Sequence, residues 1–154
     1  MNIQRAVPAD YPELLAVWED SVRATHQFVR EEDIQTFKNI IPERGFPAVT
    51  INYIQNKSKE TLGFIGIAGK SIDMLFVRNQ ARGQGIGMYL LLDAVENHGC
   101  RCVDVYEQNQ QAIGFYQHLG FEVISRSPTD GMGKPYPILH MQRHDLVEIA
   151  EYDP

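Results

Sequence analysis

The chain has 154 residues, 44% hydrophobic and 22% charged, the balance of one water-soluble domain large enough to bury its own core. No apolar run nears the ~20 residues that span a bilayer, and the first five residues lack the layout of a secretory leader, so a cytoplasmic protein with no membrane contact is expected. Fourteen Lys and Arg against twenty Asp and Glu give a formal charge of −6, the wrong sign for neutralising nucleic-acid phosphates and mildly favourable to a cationic partner.

Residues 2–7 alternate apolar and polar in the manner of a short strand. Pro8, Ala9 and Asp10 offer a helix start, and Leu14, Leu15, Trp18 and Val22 recur at helical spacing as far as Arg23. A second helix is expected over residues 31–41, acidic at its front and stopped by Pro42. Three β-type runs follow, 48–54, 62–68 and 72–77; the short turns between them argue for an antiparallel meander. A glycine-rich stretch, 82–87, then opens an apolar helix over 88–97 that Gly99 closes. A strand over 102–105, a helix over 109–118 ending near Gly120, and strands over 121–126 and 138–142 complete the chain. The order β-α-α-β-β-β-α-β-α-β-β describes a single α/β (α+β) domain over 1–143, followed by an acidic tail, 144–154.

Cys100 and Cys102 are spaced for one side of a strand. A structural zinc site needs four ligands and no second pair exists, so two reduced thiols and no metal are expected. His140 and His144 divide between a strand and the tail, which argues against a metal there too.

Arg82, Gly83, Gln84, Gly85, Ile86 and Gly87 lie between a strand and a helix. The first turn of that helix leaves amides without internal partners at the positive end of its dipole, and glycines allow a ligand to approach the backbone closely. That combination suits a pyrophosphate. Arg82 either adds charge there or faces solvent. Two rival phosphate motifs fail. The dinucleotide fingerprint G-x-G-x-x-G needs its third glycine one residue later than Gly87, and Gly69-Lys70-Ser71 lacks the P-loop's first glycine, having Phe64 in that place.

The stretch from Leu75, Phe76 and Val77 to Gly87 resembles the acetyl-CoA signature of the GNAT acetyltransferase superfamily, Arg/Gln-x-x-Gly-x-Gly/Ala. Asn109, Ala112, Phe115, Tyr116, Gly120 and Phe121 resemble its second signature, Asn-x-x-Ala-x-x-Phe-Tyr-x-x-x-Gly-Phe, in the expected order. Ala24-Thr25-His26-x-Phe28 and Gly133-Lys134-Pro135-Tyr136-Pro137 are similar to segments of the small bacterial YjaB-like members. The resemblance implies a mixed, mostly antiparallel sheet of about seven strands with four helices, two of the strands splayed around an acyl-CoA. It implies that the strands over 72–77 and 102–105 are the two that splay, that the main chain of Leu75, Phe76 and Val77 pairs with the pantetheine arm, and that amides from Arg82 to Met88 hold the pyrophosphate. Asn109 would touch the coenzyme arm and Tyr116 would lie near its sulfur. The expected activity is acetyl transfer from acetyl-CoA to an amine by direct attack in a ternary complex, in a monomer or homodimer.

Such chemistry needs a neutral amine, a polarised carbonyl and a proton for the leaving thiolate. A phenol of pKa ~10 stays protonated at neutral pH, which suits Tyr116 as donor; its alternative role is core packing beside Phe115. The base is open among Ser71, Asp73, Glu107, His26, Tyr136 and a water chain. A non-catalytic acyl-CoA sensor is the rival function, and a nucleotide-binding regulator a third.

Overall fold

One sheet carries two apolar faces, and each face takes its own pair of helices. In the computed structural model, which describes residues 1–144, seven strands lie in the order β1-β2-β3-β4-β5-β7-β6. They are β1 (Ile3–Arg5), β2 (Thr50–Gln55), β3 (Thr61–Ala68), β4 (Ser71–Val77), β5 (Cys102–Tyr106), β6 (Phe121–Ser127) and β7 (Ile138–Arg143). Only β4 and β5 pair in parallel. Helices α1 (Tyr11–Thr25) and α2 (Glu31–Ile40) bury Leu14, Val17, Trp18, Ile34 and Phe37 against Ile51, Tyr53 and Phe64 on one face. Helices α3 (Ile86–His98) and α4 (Gln110–His118) bury Leu90, Leu91, Ala94 and Ile113 against Ile65, Ile72, Val103 and Val105 on the other.

The mixed seven-stranded sheet and four helices match the expected α+β architecture, and the strands splay where the resemblance placed them. β4 and β5 share two register pairs, Ser71↔Cys102 and Ile72↔Val103, and then part. The parting starts at a β-bulge. Ile72 faces Ile67 and Met74 faces Gly66, which leaves Asp73 as the extra residue. That residue resets the alternation: Ile72, Leu75 and Val77 join the α3/α4 core, while Met74 and Phe76 join the α1/α2 core.

Two boundaries differ from expectation for local reasons. α2 stops at Ile40, one residue short of the expected end and just before Pro42, but the chain goes on coiling through a wide π turn, Ile41–Gly45. β2 accordingly begins at Thr50, after a 3-10 turn at Phe46–Ala48. α3 begins at Ile86, two residues early, because Gly85 already serves as its N-cap. Beyond His144 the expected acidic tail lies outside the described residues.

Candidate active site

The loop after β4 turns through Gly83 (φ +79°) and Gly85 (φ +81°). Nothing lies within 4 Å of where their Cβ atoms would sit, so conformation rather than crowding demands glycine there. The first hydrogen bond of α3 runs from the Tyr89 N–H to the Gly85 carbonyl at 2.9 Å, leaving the amides of Ile86, Gly87 and Met88 without a helical acceptor. These residues and Arg82 line a cavity of about 460 Å³ whose other walls are Leu75 and Val77 on β4 and Asn109, Ala112 and Tyr116 at α4. Arg82 crosses to α4, its Nη2 donating to Gln111 Oε1 at 2.5 Å. Free amides and a guanidinium at one end, with apolar walls along the parted strands, make a site for a diphosphate carrying a slender arm.

A second cavity, of about 370 Å³, opens on the α1/α2 side. Asp73, Asp104 and Asp130 line it with Trp18, Phe76 and Tyr106, and among the described residues no Lys or Arg does. Burial pushes the Asp73 carboxyl up; a Ser71 hydrogen bond opposes that rise and the charge of Asp104 adds to it. Asp104 Oδ1 lies 2.7 Å from His140 Nδ1, whose Nε2 lies 2.7 Å from Ser127 Oγ. Asp130 Oδ1 accepts the N–H groups of Met132 (3.0 Å) and Lys134 (2.8 Å).

Leu75, Asn109, Ala112 and Tyr116 belong to both cavities. Tyr116 is 6% exposed, and burial alone pushes its phenol up, so it stays protonated. Its hydroxyl hydrogen-bonds no described residue and is open to the cavities, since among the described residues no fully buried side-chain oxygen or nitrogen lacks a partner.

A directed hydrogen-bond chain braces the shared wall. The Thr25 hydroxyl donates to Ser21 O at 2.7 Å, so at 2.7 Å it accepts from His26 Nδ1–H. His26 Nε2 then takes the Asn109 amide at 3.4 Å, while Asn109 Oδ1 caps α4 by accepting the Ala112 N–H at 3.2 Å. Burial lowers the imidazole pKa to about 4, which keeps it neutral at ordinary pH.

Of the coenzyme-side residues, Phe76 faces the second cavity and Gln84 lines neither; the rest line the first. Of the base candidates, Asp73 and His26 line the second cavity. Ser71, two residues before Asp73 on β4, lines neither cavity. Glu107 lines neither cavity: Arg126 grips both its oxygens and holds its carboxyl below the usual range. Tyr136 is buried behind the wall, its hydroxyl donating to Asp33 and accepting the Arg30 N–H at 3.1 Å. Lys134 reaches the same Asp33 at 2.9 Å, and with these bonds Asp33 falls to about 2.

The two segments singled out around His26 and Tyr136 meet in space: Phe28 lies 5.7 Å from Tyr106 and 6.1 Å from Tyr136, ring to ring. Asp104, Tyr106, Asp130 and Trp18 escaped the sequence reading. For Asp104 and Tyr106 a signal existed, since they alternate with the buried Val103 and Val105.

The chain belongs to the GNAT acetyltransferase family and is an acetyl-CoA-dependent N-acetyltransferase. The family model for the acetyltransferase (GNAT) domain matches residues 47–123. The peptidyl-lysine N-acetyltransferase YjaB of Salmonella typhimurium LT2 is 38% identical over 146 residues, covering 92% of this chain and 97% of that one. The solution structure of apo-form YjaB from Escherichia coli gives a TM-score of 0.81 at 34% identity, over 92% of this chain and 95% of that one. At the level of fold, the PaiA N-acetyltransferase of Thermoplasma acidophilum, solved in complex with coenzyme A, gives a TM-score of 0.69 at 22% identity over 94% of this chain and 100% of its own.

Proposed function

We propose that the protein moves the acetyl group of acetyl-CoA directly onto the side-chain amine of a lysine in a ternary complex. The observation that carries this reading is the pair of cavities sharing one wall at Leu75 and Tyr116. In it, the amides of Ile86, Gly87 and Met88, with Arg82, hold the pyrophosphate, and the arm runs along Leu75 and Val77. The amine enters from the acidic cavity. Asp73, its carboxyl raised by burial, relieves the ammonium of a proton directly or through water. The amine nitrogen then bonds to the thioester carbon, the carbon–sulfur bond breaks, the Tyr116 phenol gives its proton to the departing sulfur, and the proton shed by the new amide nitrogen restores the phenol through water. Holding both partners in line supplies much of the acceleration.

What lines the second cavity supports lysine as the acceptor class. A free α-amino acid brings a carboxylate that would want a cation, and no Lys or Arg stands there. A lysine side chain brings only an alkyl stem and an ammonium, which suit the rings and carboxylates. The names of the YjaB relatives agree.

Acetyl-CoA incubated with a lysine peptide, a peptide offering only its N-terminal amine, and a free amino acid, with thiol release followed, tests this. Turnover is expected on the lysine peptide, and Tyr116→Phe is expected to lower kcat by about ten-fold or more with acetyl-CoA KM little changed. Coenzyme binding without turnover on any amine would instead favour an acyl-CoA sensor.

A further inference from the structure

We infer that the acceptor cavity selects a lysine that stands beside a second cationic residue in its peptide. This rests on the lysine acceptor proposed above. Asp73, Asp104 and Asp130 come from β4, β5 and the β6–β7 connection, yet line one cavity. One reacting ammonium calls for one carboxylate. Two more, Asp104 beside the His140 imidazole and Asp130 on two turn amides, leave negative charge facing a cavity that no described Lys or Arg lines.

The neighbouring cations are committed elsewhere. Lys134 is bound to Asp33 at 2.9 Å and Arg126 to Glu107. His26, the imidazole in that lining, is held neutral by its burial. His140 faces Asp104 from β7, and its other nitrogen is taken up by Ser127. Among the described residues no grouping of His, Cys, Asp and Glu is arranged to hold a metal ion, so an organic cation suits the three carboxylates better.

A separate observation points to a ligand at the same place. Tyr116 is more than nine-tenths buried, lines this cavity, and has a hydroxyl that no described residue hydrogen-bonds. The reacting amine belongs beside Tyr116 and Asp73. The Asp104 side chain, 56% exposed, stands nearer solvent, and Asp130 lies on the connection between β6 and β7. A flanking residue of the peptide, rather than the lysine itself, would meet these two. Tyr106 and Trp18 add ring faces that attract a cation.

Peptides with one lysine, flanked by arginine, alanine or glutamate, test the inference at saturating acetyl-CoA. The arginine-flanked peptide is expected to exceed the alanine-flanked one in kcat/KM by about five-fold or more, with the glutamate-flanked peptide lowest. Raised salt should shrink the ratio. Asp130→Asn keeps the carbonyl that accepts the two turn amides, so it should fold; in it and in Asp104→Asn the ratio should fall toward one, with thermal melting as the check on folding. Equal kcat/KM for the three peptides, or an unchanged ratio in both folded variants, would overturn the inference while leaving lysine as the acceptor. Turnover of spermidine with none of any peptide would overturn both.

Discussion

His26 shows how much one buried imidazole can govern. Its Nδ1 proton is committed to Thr25, its Nε2 lone pair to the Asn109 amide, and Asn109 in turn caps the helix that carries Tyr116. Burial disfavours the charged imidazole and lowers the folded pKa to about 4 from an ordinary 6.5. The unfolded chain therefore takes up this proton first as pH drops. The contribution of neutral His26 is fully present above about pH 6.5, erodes below it, and is exhausted near pH 4, a loss of about 3 kcal/mol at most. The melting temperature should decline between pH 6.5 and 4.5, ahead of the carboxylates such as Asp33 that titrate lower. His26→Gln should flatten that decline; a variant that falls as steeply as the parent would show the imidazole is not its cause. None of this could be read from a lone histidine after a helix, because the chain that fixes its tautomer joins residues 83 positions apart.

At the scale of elements, the glycine loop, the helix it opens and the alternation of the strands were legible, because each is encoded locally. The bulge at Asp73 was not. It depends on which residues of β3 lie opposite, and no feature of the β4 sequence marks it. Gly63 belongs to the same problem. A Cβ there would come within 3.0 Å of both the Phe76 carbonyl oxygen and Ile86 Cγ2, wedged between β4 and the first residue of α3. The carbonyl is backbone and cannot swing aside as a side chain would. Gly63→Ala should cost about 1–3 kcal/mol in urea unfolding and weaken acetyl-CoA binding in calorimetry, since it displaces the cradle from behind. Full coenzyme affinity in that variant would mean the start of α3 tolerates displacement. Phe76 and Gln84 lie inside a matched signature that concerns their main chain; strand alternation turns the Phe76 side chain to the second cavity, and Gln84 lines neither cavity.

Across the whole molecule, the sheet is joined at its centre by two residue pairs between β4 and β5, whereas β3 and β4 pair along their length. Hydrogen exchange without ligand should therefore show β5–β7 and α4 opening at lower free energy than β2–β4. An acyl-CoA arm lying in the fork would supply main-chain partners where the strands lack each other, so its addition should slow exchange on both banks of the fork. At a hundred times its dissociation constant the gain is about 2.7 kcal/mol. Exchange that is uniform across the sheet and indifferent to acetyl-CoA would refute the idea. If it holds, the substrate is also a splint for the enzyme. A cell short of acetyl-CoA would then lose these molecules sooner to its proteases, and acetyl transfer would fade through falling enzyme abundance as well as through an empty site.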